Sequence, residues 1–358
     1  MTDTNNLVGT IPKELHVLTN IELLHLQDNA LSGNVPEALS KLTRLSSLDM
    51  SMNSLRGELP VRLAYLSDLK ILRLGNNQLI GSNIRPILKD LVGLKELNVS
   101  NNIGMNGQIM MFAEDHPLTR SRYGVSRDLE VFDIRNCSFS SQLSYTFFRQ
   151  CPKLISFQAD DNDIMGGIPV AVRNETATRR TKTRTRYLPL EEDENYHSSH
   201  FSRRDHQLFE DWGDNGMRST LSVFTISRNR LTGTFPWTKL AAQLDTTTNF
   251  IRIDVSGNQL TGTLPSDESV MSKFSKLQYL DMSYNRLESS IPSTSIDQLH
   301  QLKELQLQGN YLTGSLPTEL GKCTNLVQLA LNDNSFTGTV PTELMELSNL
   351  RKYIPTIP

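Results

Sequence analysis

Apolar residues recur along this chain in a frame, LxxLxLxxNxLxGxIP, that returns about every 24 residues. From Ile21 it runs through Leu24, Leu26, Asn29, Leu31, Gly33 and Pro36, and from Leu45 through Leu48, Met50, Asn53, Leu55, Gly57 and Pro60. The asparagine returns at Asn77, Asn102, Asn162, Asn229, Asn258, Asn285, Asn310 and Asn334, with Cys137 in the same slot of the unit beginning at Leu129. Eleven units therefore carry a full frame. A fixed period of this length marks a stacked repeat array rather than several separate globules.

Each position in the frame has a physical reason. Leu305 and Leu307 flank Gln306, the alternation of a short strand with leucines on one face. One strand per period requires the strands to lie parallel, leucines inward. An asparagine at the strand end can donate and accept at once, so a column of them can satisfy buried turn backbone that would otherwise be orphaned. Glycine permits the bend that follows, and proline fixes φ where the chain turns onto the outer face.

The residue between the strand leucines is expected to face solvent, in the row His25, Asp49, Arg73, Asn98, Asp133, Gln158, Thr225, Asp254, Asp281, Gln306 and Ala330. A second row, two residues later, includes Arg135 and Asp160. Arg252 and Tyr279 stand one step before the strand leucines, beside Asp254 and Asp281. Asp133, Arg135, Gln158, Asp160, Arg252, Asp254, Tyr279 and Asp281 thus form the candidate ligand-binding patch, because aromatic and charged anchors carry most recognition energy.

Composition narrows the function classes. The chain has 37% hydrophobic and 21% charged residues with a formal charge of −3, which does not mark an overall nucleic-acid or membrane-surface binder. No apolar run is long enough for a membrane-spanning helix, and the start, Met1 to Asn6, lacks the basic and apolar regions of a signal peptide. Cys137, Cys151 and Cys323 form no CxxC pair; Cys151 and Cys323 fall at interior positions and are expected to be buried packing residues. Sequons stand at Asn98, Asn136 and Asn174, and occupancy at Asn98 would obstruct the strand face.

Two insertions break the period, at about 110–128 and 173–219. The second segregates Arg179, Arg180, Lys182, Arg184 and Arg186 from Glu191, Glu192, Asp193 and Glu194, a composition expected to be mostly disordered. It could shape a ligand pocket or dock an acidic partner. His197, His200 and His206 lie within it at spacings that do not define a metal site, and no metal or other cofactor is expected. The expected organisation is a repeat block over 1–172, the insertion over 173–219, and a second block over 220–358.

The frame resembles the plant-specific leucine-rich repeat of receptor-kinase ectodomains, receptor-like proteins and polygalacturonase inhibitors. The likeness covers roughly 5–172 and 220–354, and the GxIP step at Gly9–Pro12, Gly314–Pro317 and Gly338–Pro341 separates this subclass from shorter repeats. It implies an α/β repeat solenoid, a right-handed superhelix with a parallel concave β-sheet whose concave or lateral face binds proteins, peptides or saccharides. The family's paired-cysteine caps are missing, and the chain opens and closes inside a repeat, so a fragment or a truncated open reading frame is expected. Leu350 and Tyr353 match a twelfth unit, but Pro355 occupies the next leucine position and cannot donate to a ladder, which predicts that the strands stop at eleven.

The leading expectation is a non-catalytic module recognising a protein or peptide. The alternative is an extracellular receptor-like fragment, or an inhibitor, that binds a peptide, a saccharide or a secreted enzyme. No nucleophile elbow, phosphate-binding loop or HExxH motif supports an enzyme.

Overall fold

A computed structural model describes residues 5–82, 84–107, 128–143, 147–148, 151–168, 220–243 and 250–355. The LxL segments form one parallel sheet of twelve strands, from Leu23–His25 to Lys352–Ile354, in the order of the chain. Equivalent leucines are register partners, Leu24 with Leu48 and Leu305 with Leu329, and Leu305 and Leu307 are fully buried. Period-two alternation has therefore placed the leucines inward, as the frame requires.

The twelfth strand corrects the expectation of eleven. Lys352, Tyr353 and Ile354 pair in register with Gln328, Leu329 and Ala330. The amide at the second leucine position donates to the strand that follows: Leu26 N to Asp49 O at 2.7 Å, Leu331 N to Ile354 O at 2.9 Å. Pro355 stands at that position, so its missing N–H would have served only a thirteenth strand and leaves the twelfth intact.

The LxG part of the frame, expected to be no more than a bend, forms further strands. Six of them, from Val8–Thr10 to Ser138–Phe139, make one lateral parallel sheet, and six more, from Met165–Gly166 to Ser335–Phe336, make a second. Glycine is needed in these strands for two reasons. Gly57 has φ +76°, and a Cβ on it would lie 2.7 Å from Asn34 Oδ1 of the preceding unit. The outer face consists mainly of short 3-10 turns entered through proline, with φ −68° at Pro36 and −73° at Pro317. Proline fits these entries because its fixed φ is already that of the step and no amide is lost from a helix interior.

Asparagines tie the layers together. Asn285 donates to Met282 O and Ser283 O in its own unit and to Val255 O in the preceding one, and its Oδ1 accepts from Leu260 N. The same pattern recurs from Asn53 to Asn334. Cys137 keeps only the donating half, with Sγ 3.4 Å from Val99 O and 3.5 Å from Arg135 O. The acceptor is not missed, because the preceding unit has one extra residue between Asn102 and Met105, and the Met105 amide bonds to Asn102 O at 2.9 Å instead.

All three cysteines are free and buried, as expected of Cys151 and Cys323. Burial pushes the Cys137 thiol up to about 12 and that of Cys323 to about 11, and raises Cys151 as well. A thiol must ionise to attack, so at pH 8 a disulfide reagent should leave all three unmodified in the native protein and modify all three after unfolding. Rapid native-state labelling of any one would mean that its side chain is not packed inside the solenoid.

Candidate functional site

The strands place the eight candidate residues on the concave face in two groups, separated by the strand Val223–Thr225. Asp133 and Arg135 share one strand end, next to Gln158 and Asp160; Arg252 and Asp254 face Tyr279 and Asp281 across the next register pair. Seven of the eight are half-buried. Asp133 departs from the solvent-facing expectation: it is 2% exposed, gripped by Arg135 through Nε at 2.9 Å and Nη2 at 2.7 Å. Asp49, Thr225 and Ala330 of the same row are also buried. Strands about 4.8 Å apart let a long side chain cover a short neighbour, as Arg73 does at 3.6 Å from Asp49.

The carboxylates are held by a recurrent local device that the repeat frame alone does not single out. In Asp49-x-Ser51, Asp254-x-Ser256 and Asp281-x-Ser283 one aspartate oxygen accepts both the amide and the hydroxyl of the serine two residues on, at 2.6–3.2 Å. Asn98-x-Ser100 makes the same pair of bonds with an amide oxygen. The signal was available as a D/N-x-S triplet spanning the two outward rows. Asp160 differs, accepting from Thr225 Oγ1 at 2.7 Å and Ser227 N at 2.6 Å in the next unit. Gln158 donates to Ser156 Oγ, and the Arg252 guanidinium lies 5.4 Å over the Tyr279 ring while approaching Asp254 at 3.4 Å.

Burial raises Asp160, and it pushes Asp281 up to about 6, with Asp254 on the adjacent strand adding to the shift and Arg252 opposing it. The folded state thus holds the Asp281 proton more tightly than the unfolded chain. Its contribution to stability is fully present below pH 3.8 and is lost as pH rises through about 6. Asp281→Asn, for which Asn98 shows the geometry to be compatible, should match the parent near pH 4 and exceed its stability at pH 7 by about 2 kcal/mol. Urea titrations at both values check this; a gap that does not widen with pH would refute the assignment.

Of the sequons, Asn98 is half-buried in the concave sheet with its oxygen held by Ser100, whereas Asn136 is exposed and donates to Asn101 at 3.0 Å. Asn174, His197, His200, His206, the basic run and its acidic neighbour lie outside the described residues. Among the described residues no His, Cys, Asp and Glu group is placed to hold a metal, and no helix is long and apolar enough to cross a membrane.

Sequence comparison finds the leucine-rich repeat at residues 20–42 and 252–312. The chain is 33% identical over 113 residues to receptor-like protein 41 of Arabidopsis thaliana, covering 31% of this chain and 12% of that protein. It is 36% identical over 76 residues to the LRR receptor-like serine/threonine-protein kinase GSO2 of the same plant, 21% of this chain and 6% of that one. In structure it matches the ectodomain of the Arabidopsis receptor kinase HAESA, solved with an N-terminally extended IDA peptide hormone, at TM-score 0.70 and 25% identity over 98% of this chain and 53% of that one. This chain is a plant-type leucine-rich-repeat protein. The plant-type frame accounts for the doubled sheet, since its added LxG step is what builds the lateral strands. This leucine-rich-repeat protein spans about half of the HAESA chain and a small part of the two curated relatives.

Proposed function

We propose that this protein is a non-catalytic recognition scaffold that binds a peptide or protein on its concave face, with contact centred on the half-buried members of the patch. The observation that carries the reading is the pairing of Arg252–Asp254 with Tyr279–Asp281 on adjoining strands of an uninterrupted twelve-strand sheet. Local bonds hold Asp254 and Asp281 by one oxygen, so each carboxylate is oriented before a ligand arrives, which lowers the ordering cost of binding. The likeness to a receptor ectodomain solved with a peptide hormone supports the ligand class. A non-catalytic role accords with thiols driven out of their reactive range and with carboxylates engaged by serines.

A second reading, a receptor-like ectodomain or inhibitor acting outside the cell, is favoured by the receptor-like relatives. Peptides selected from a displayed library on the immobilised full chain test the leading proposal. Binders should lose at least about tenfold in affinity on Arg252→Ala and on Tyr279→Ala, and little on Tyr311→Ala, which lies on the lateral sheet. Binders indifferent to both concave substitutions would place recognition elsewhere.

A further inference from the structure

The units on either side of residues 169–219 meet directly. Ser156, Phe157 and Gln158 are register partners of Val223, Phe224 and Thr225, and the rings of Phe157 and Phe224 stack at 5.6 Å and 18°. Asn229 donates to Ala159 O and accepts from Ile164 N, both at 2.9 Å, so the asparagine column crosses the junction unbroken. Polar groups cross it too. Asp160 reaches Thr225 and Ser227, Arg230 meets Asp163 at 2.6 Å, and Arg228 pairs with Asp161. Where Asp49, Asp254 and Asp281 are held by serines of their own units, Asp160 is held by the unit beyond the insertion.

Arg228 adds a conformational argument. Its φ of +50° is unfavourable for a long side chain, and the equivalent positions mostly carry Asp, Asn or Gly. The pair with Asp161 gives that strained residue a partner on the far side of the junction.

We infer that this seam is a self-sufficient protein–protein interface whose partner is the other half of the same chain. Register, ring stacking, asparagine bonds and ion pairs are all supplied by the two flanking units. In a solenoid, stability resides in such nearest-neighbour contacts, and the connecting chain supplies only a high effective concentration. The 173–219 segment can therefore be cut or exchanged while the concave sheet persists.

The test uses the full chain with 173–219 replaced by a Gly/Ser linker that carries a protease site and is at least as long as the Val35-to-Leu45 step of a regular unit. After cleavage, light scattering at micromolar concentration should find one species with the mass of both pieces. Arg230→Asp should weaken association of the cut pieces by about tenfold, and adding Asp163→Arg should recover it. Separation of the pieces in native buffer, or a charge exchange no tighter than Arg230→Asp alone, overturns the inference.

Discussion

Asn285→Ala is expected to destabilise the protein by about 3 kcal/mol, although it removes a small side chain with no apolar surface to speak of. Three of its four bonds are backed up. Val255 O also receives Asn258, Met282 O also receives Asn310, and Ser283 O also receives Gly257 N. The buried Leu260 amide, by contrast, loses its 2.9 Å acceptor in the lateral strand Gln259–Gly262, and an orphaned buried donor alone costs about 1–3 kcal/mol before the lost packing is added. Asn334 makes the same bonds but is half-buried, so water can replace it and Asn334→Ala should cost about 1 kcal/mol. Urea denaturation followed by circular dichroism distinguishes the two. Equal costs would mean that the column acts through something other than burial of backbone polar groups.

The Cys137 unit shows why the cost depends on local detail. The neighbouring backbone has already turned its Met105 amide toward Asn102 O, so the site needs no acceptor. What could be read from the chain was whatever repeats: inward leucines, the asparagine column and the proline-entered outer turns are each fixed by residue type at a constant interval. The lateral sheets were missed because glycine was read for its freedom alone. At Gly57 the demand for space beside Asn34 matters as much, and that demand arises only when units are stacked. The twelfth strand was missed because proline was judged by the bond it lacks, without asking which neighbour that bond would reach.

The candidate patch was legible as a location more than as a surface. Alternation put all eight residues on the concave side, but it could not show that Arg135 folds back over Asp133 or that Asp160 reaches across to Thr225. Both follow from side-chain length and from what the adjoining strand presents. They leave Arg135, Arg252 and Tyr279 as the half-exposed long side chains of the patch, while the carboxylates sit lower among their partners.

The largest effect is expected at Phe157. In three successive units the first strand leucine is replaced by phenylalanine, and Phe132, Phe157 and Phe224 stack at 5.9 and 5.6 Å with Phe147 and Phe148 packed against them. Phe157 is the centre of that spine and is fully buried. Phe157→Ala removes the ring from between two neighbours that the strand spacing prevents from closing up, so the cavity term adds to the transfer term, for about 4 kcal/mol in all. Phe157→Leu restores the residue that serves at Leu280 and Leu305 and should cost about half as much. Because each unit is coupled chiefly to its neighbours, the loss falls on the two junctions that Phe157 makes, with Phe132 and with Phe224, and should divide the melting profile into two transitions, one for the units before Phe157 and one for those after. Calorimetry that finds a single sharp transition at unchanged temperature for Phe157→Ala would show that the aromatic spine does not couple the two blocks.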